Sequence, residues 1–435
     1  MTWEGTLSRR NSRIVAASLA VLAVAGTAAC STGSGGNDSD GPATIDLWTH
    51  AGGNEAEMGV INTIVEDFNA SQDQYAVKVE DFPQDAYNDA VVAAASSDNL
   101  PCIVDVDGPN VANWAWAGYI QALGLPEETF DGQLAGTLGR VDGEVYAYGY
   151  FDVALAMFSR QSILDQAGVR VPTVDEPWTK DEFMDALAKI DGLGQHDYAL
   201  DMGTGGTGEW IPYAYSPQLQ SFGGDLIDRS DFQTADGVLN GPEALEWAQW
   251  FRGLVDSGYM AQTSGDDSTA DFVNGKSGLL FTGNWADATV REAFDDAVVL
   301  PPPELGAGPK IGAGSWQWAL AEGCDEVDGA REYLEFAHDT KYFVEYGNAV
   351  GLIPATLDAA AEIPAYAEDG ESRIYLEMAD QFAVVRPETP AYPYISSVFQ
   401  KATSDILAGG DPQSILDKAV ADIDRDIQQN GGYTS

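Results

Sequence analysis

The residues best suited to chemistry are flat aromatics set among carboxylates and amides. The chain carries 11 tryptophans. Trp48, Trp114, Trp116, Trp210, Trp285 and Trp316 stand beside glycine or polar residues in turn-like stretches, off any amphipathic stripe. Indole rings stack on apolar C–H faces, while Asp107, Asp152, Glu209 and Asn284 could pair with hydroxyls. Together they suit a polyhydroxylated guest. Each buried hydroxyl left unpaired costs roughly 1–3 kcal/mol, which is how such a site selects. The competing role for each aromatic is ordinary packing.

Other chemistries fare worse. Gly203, Gly205 and Gly208 spell GxGxxG, but a nucleotide fold needs a helix next, and Pro212 in an aromatic loop is expected there. Asp105, Asp107 and Gly108 lack calcium-loop spacing. His50, His196 and His338 are too scattered for a zinc site. No metal or cofactor is expected. Acid pairs such as Asp152 and Glu209 could serve a secreted glycoside hydrolase as general acid and nucleophile. With 69 acidic residues, however, some pair will fall near any cleft.

Those 69 acidic residues face only 21 basic ones, for a net charge of −48. Such a surface repels nucleic acid and anionic lipid, so no nucleic-acid partner is expected. At 435 residues and 45% hydrophobic content the chain can build two or three real cores. Beyond Cys30, the pair Cys102 and Cys324 could be bridged or be two buried thiols.

The elements that must position these residues alternate. Thr44 to Thr49 reads as a strand, then a helix with Met58, Ile61, Val65 and Phe68 on one stripe, a strand at 75–82, a helix at 86–97 and a buried strand at 102–106. This is a doubly wound pattern. Tyr146 to Phe158 reads as one long strand-like run. Thr179 with Glu182 forms a capping box for the helix that follows. Gly241-Pro242 opens another helix, whose Trp247 and Phe251 read as core. Asp271 to Ala288, DFVNGKSGLLFTGNWADA, reads as helix end, tight turn, strand, break and helix, with Trp285 at the strand's carboxyl end. Ligands sit at that edge of open α/β sheets.

Phe272, Gly275, Lys276, Gly278, Leu279, Gly283 and Trp285 together resemble the signature of extracellular solute-binding proteins of ABC importers, in the carbohydrate-binding, maltose-binding-protein class. TIDLWTH, PWTKDEFMDAL, LQSFGGDLID, LEFAHDTKYFVEYGNAVGLIPA and RPETPAYPYIS extend the resemblance over nearly all of the chain after residue 42. It implies a two-lobed, type II periplasmic-binding-protein-like α/β fold. Each lobe is a doubly wound sheet flanked by helices, and crossing strands form the hinge. The implied lobes are 43–151 with 301–340, and 152–300 with 341–435. The implied site gathers His50, Asn54 and Glu55 after the first strand, and Asp107, Trp114 and Trp116 after the third. Asp152 would lie at the first crossing and Glu209, Trp210 and Tyr213 in the glycine-rich loop. Asn284 and Trp285 would close the signature, joined by Trp316 and Tyr394. The implied function is capture of a neutral saccharide, an oligosaccharide in preference to one hexose, by a monomer that delivers it to a permease driven by an ATPase. No bond is broken.

Arg9, Arg10 and Arg13 precede an apolar run, Ile14 to Ala25, too short to span a bilayer. Small residues then lead to Cys30. Residues 1–29 resemble a lipoprotein signal peptide, cleaved so that Cys30 carries lipid on the outer face of the cell membrane. Thr27 stands where that motif has a branched aliphatic residue. Residues 30–42, rich in Gly, Ser and Asp, are a flexible tether.

Overall fold

The computed structural model describes residues 41–265 and 267–433. The expected signal peptide and Cys30 lie outside the described residues, as does nearly all of the tether. Two sheets organise the rest. The first has seven strands. Tyr75–Asp81, Ala43–Thr49 and Ile103–Asp107 run parallel, and Trp316–Ala321 then joins antiparallel beside Ile103–Asp107. Glu144–Tyr148 and Leu138–Val141 continue the sheet, and the short Ile120–Gln121 pairs with the end of Trp316–Ala321. A strand from late in the chain therefore completes a sheet begun at residue 43. The second sheet orders Ala297–Leu300, Leu155–Arg160, Ser277–Gly283 and Tyr198–Asp201. Its central strand, Ser277–Gly283, is buried along its whole length, as a short apolar run between helices should be.

The helices cover these sheets for readable reasons. Glu55–Ser71 buries Val60, Ile61, Ile64, Val65 and Phe68 on one stripe. Lys180–Asp191 starts at the expected capping box, the Thr179 hydroxyl accepting from the Glu182 N–H while Glu182 accepts from the Thr179 N–H. Gly168 ends Gln161–Ala167 at φ 62°, a left-handed position that glycine adopts without a Cβ clash. Trp247 and Phe251 are core, stacked on each other with Phe399 against Trp247.

Two sequence expectations need correction. The run from Tyr146 to Phe158 is not one strand. It breaks into Glu144–Tyr148, Phe151–Asp152 and Leu155–Arg160. At the break a Cβ on Gly149 would stand 2.5 Å from the Trp316 carbonyl, a close approach that glycine permits. Second, a helix does follow the glycine-rich loop: Trp210–Phe222 is helical despite Pro217 inside it. Thr340–Val350 packs Tyr342, Phe343 and Tyr346 with the core of the first sheet.

Two short ladders lie where the chain passes between the sheets. Phe151–Asp152 pairs antiparallel with Ile353–Pro354, and Ile311–Ala313 pairs parallel with Ala383–Val385. Cys102 and Cys324 are bridged, tying the start of one central strand to the loop after its antiparallel neighbour across 222 residues of sequence. Closing so long a loop restricts the unfolded chain. Cys102→Ser with Cys324→Ser is expected to lower unfolding free energy by about 2–5 kcal/mol, read from urea denaturation of both proteins without reductant.

Candidate functional site

Trp285 follows the strand Ser277–Gly283 at once and lies back over it. A Cβ on Gly283 would meet the indole at 1.9 Å, so the glycine is what lets the ring lie there. The indole is 44% exposed, the degree of exposure a stacking platform needs. Trp210 stands edge-on to it at 6.3 Å and 75°, and Tyr213 tilts against it at 6.3 Å. Trp210 is seated by the GxGxxG stretch. Its Nε1 donates to the Gly203 carbonyl at 2.9 Å, and a Cβ on Gly206 would strike its ring at 2.4 Å. Those glycines serve an indole, which explains the motif without a nucleotide.

Arg386, which directly follows the strand Ala383–Val385, links this aromatic group to the first sheet. Its guanidinium lies over Tyr213, 5.3 Å from the ring centre. Nη1 and Nη2 donate to the two Asp107 oxygens at 3.0 and 2.7 Å, and Nη1 also donates to Glu209 at 2.9 Å. Glu209 further accepts from the Tyr392 hydroxyl at 2.5 Å and from Ser396. Arg386 and Asp107 are both buried, while Glu209 is about one-third exposed. Burial raises the Asp107 pKa, Arg386 opposes that, and Glu209 adds to it. Burial by itself would lower the Arg386 pKa, but Asp107, Tyr392 and Glu209 carry it well above the usual value. The guanidinium stays charged.

Asp107 sits opposite Trp316 in the antiparallel register. The Trp316 indole is partly buried and stacks on His50 at 3.9 Å with 9° between planes. The structure thus brings Asp107, Trp316 and His50 together at the first sheet. It brings Trp285, after the second sheet's strand, together with Trp210 and Tyr213 of the helix Trp210–Phe222 and Glu209 at its start, with Arg386 in contact with Asp107, Glu209 and Tyr213. Asn284 is buried next to Trp285. Its Oδ1 accepts from the Ala154 N–H at 3.2 Å and its own N–H donates to the Ala154 carbonyl at 3.0 Å, so it clasps the neighbouring strand's start.

Other expected residues fall elsewhere. Asp152 is buried, with Oδ1 accepting from the N–H groups of Gly314 and Val153, and fastens the crossing segments. Asn54 caps the helix Glu55–Ser71 through the Glu57 N–H, and Glu55 is exposed in its first turn. Trp114 is core beneath the first sheet. Trp116 is exposed and edge-on to Tyr433. Trp48 belongs to a strand and packs on Phe82. Tyr394 lines a groove between the helices Tyr392–Leu407 and Pro412–Gln429, on a different face from Tyr392. Arg386, Tyr392 and Ser396 were missed, although all three lie in RPETPAYPYIS. An arginine among so few cations was the available signal. Among the described residues no cluster of His, Cys, Asp and Glu could hold a metal ion.

This fold and this edge of aromatics define a binding protein. The family model for bacterial extracellular solute-binding proteins matches residues 63–373, and the chain belongs to that family. It is a family of binding proteins, not of glycosidases. A maltotriose-binding protein of Pyrococcus abyssi is 23% identical over 413 residues, 89% of this chain and 83% of that protein. An uncharacterised lipoprotein of Streptomyces antibioticus is 23% identical over 331 residues, 71% of this chain and 69% of that one. The crystal structure of a cyclic α-maltosyl-1,6-maltose-binding protein from Arthrobacter globiformis superposes with a TM-score of 0.74 at 24% identity, covering 89% of this chain and all (100%) of that one.

Removing one member of a buried ion pair strands the other. Arg386→Gln is expected to cost about 3–5 kcal/mol of stability. Adding Asp107→Asn should recover part of that loss, because the buried carboxylate is neutralised along with its cation and only the part-exposed Glu209 is left without one. Urea unfolding of the two single variants and the double variant measures the coupling.

Proposed function

We propose that this chain is the extracytoplasmic receptor of a sugar importer, which takes up a neutral oligosaccharide and passes it unaltered to a permease. The observation that carries this reading is the half-exposed Trp285, backed by Trp210 and Tyr213, next to the Arg386–Asp107–Glu209 group. Flat apolar faces and charged hydrogen-bonding groups then meet at one place, as a sugar requires. The names of the Pyrococcus and Arthrobacter proteins point to α-glucan-type guests. The Arg386 Nε is a buried donor with no acceptor among the described residues, and a sugar hydroxyl would supply one.

In this reading the two sheets belong to two lobes that close on the guest by bending at the crossing ladders. The receptor is a monomer held to the membrane by lipid on Cys30. Among the described residues no helix is long and apolar enough to cross a membrane. Replacing Cys30 by Ser should release the protein into the medium, seen by fractionating cells.

Calorimetry against maltose, maltotriose and longer glucans, with product analysis, tests the binding role. Binding without product supports it, and turnover would sink it. Trp285→Ala should weaken binding by roughly 2 kcal/mol or more, about 30-fold. The unfolding free energy should change by less than about 0.5 kcal/mol, since so exposed a ring anchors little core. An unchanged affinity would remove Trp285 from the site.

A further inference from the structure

Beneath Trp316 lies a buried polar group that sugar contact alone does not explain. His50 is 6% exposed and lies flat against the indole. Its Nδ1 is in contact with Asp105, and its Nε2 is 3.9 Å from Glu57. Asp105 also accepts from the Thr49 hydroxyl at 3.1 Å, and its N–H donates to the Tyr87 hydroxyl at 2.8 Å. Glu57 accepts from the Tyr346 hydroxyl at 2.5 Å and from the Asn54 amide at 3.0 Å. Tyr87 closes a further side, its ring edge-on to both His50 and Trp316. An ordinary core histidine needs one acceptor. This one has a carboxylate on each side and an aromatic plate on its face.

We propose that His50 is a positioning residue for the guest: stacked on Trp316 and held between Asp105 and Glu57, it fixes the plane of the indole on which the sugar lies. The inference rests on the reading of Trp316 as a sugar platform. In this reading the guest takes the face of the partly buried ring opposite His50. The charged groups around His50 are Asp105 and Asp107 on the strand Ile103–Asp107, and Glu57 on the helix Glu55–Ser71. Tyr87 and Tyr346 add hydroxyls, and Arg386 is already engaged by Asp107.

Burial opposes the charge on His50, but Asp105, then Glu57 and Asp107, outweigh it and raise its pKa above the usual imidazole value. The sign follows. The imidazolium and its pairing are complete below the ordinary imidazole range and are lost as pH rises through the raised pKa. The neutral ring then holds the two carboxylates less firmly, and the indole plane loosens. Sugar affinity should fall on the alkaline side. His338 stays out of that span, since burial pushes it down to about 4.

The test follows three signals in the folded protein from about pH 6 to about pH 9, a span that brackets imidazole titration. They are the His50 ring resonances, the fluorine signal of Trp316 in protein carrying 5-fluorotryptophan (assigned with Trp316→Phe), and the calorimetric Kd for maltotriose. The Trp316 signal should move with the His50 midpoint without sugar, and Kd should weaken about tenfold over the same step, the size of one aromatic contact. His50→Phe keeps a plate under the indole and should flatten both profiles. If that variant does not fold, the wild-type titrations decide alone. A Trp316 signal indifferent to His50, or a Kd that stays flat while His50 titrates, overturns the inference and leaves the sugar reading standing. Coupled ring signals with no binding of maltotriose or any other saccharide sink the sugar reading, while the positioning of Trp316 by His50 stands.

Discussion

One buried guanidinium governs the middle of this molecule. Arg386 takes both oxygens of Asp107, from the first sheet, and one oxygen of Glu209, at the start of the helix Trp210–Phe222. Taking Arg386 and Asp107 out of water costs several kcal/mol per ion, recovered only where the geometry is good, while Glu209 stays partly hydrated. A two-pronged arginine fork provides that geometry. Hydrophobic contacts could have joined these segments more cheaply. A charged link instead offers hydrogen-bonding capacity at the junction, with Arg386 over Tyr213 and bonded to both carboxylates.

Around this link the aromatic rings are placed by the absence of side chains. Gly283 and Gly206 each leave the space that an indole occupies, and Gly312 does the same under Tyr213. An alanine at any of the three would have to displace a ring or the backbone beside it. The platform is therefore specified twice, once by the aromatic and once by the glycine beneath it.

How much of this was readable depended on range. Local features were legible: the capping box at Thr179, the buried strand from Ser277, Gly283 ahead of Trp285, and the alternation at the start of the chain. Properties of contact between distant segments were not. Trp114 and Trp116 share one turn of sequence, yet one is core and the other is exposed, because the short helix turns them to opposite sides. Tyr392 and Tyr394 likewise differ by two residues on a helix, and only Tyr392 reaches Glu209. The loop expected after Gly208 is a helix because burial of nearly its whole surface overrides the proline inside it. Arg386 gained its meaning only from Asp107, 279 residues away.

The strand Trp316–Ala321 lies antiparallel inside a sheet whose three parallel members are made before residue 110. That placement dictates an order of assembly. A chain emerging from its amino end cannot finish the first sheet until the whole second sheet has been synthesised. The early strands must wait with one long edge unpaired, and such edges invite association with other chains. A polypeptide of this topology is therefore open to edge pairing along Ile103–Asp107 until Trp316–Ala321 arrives.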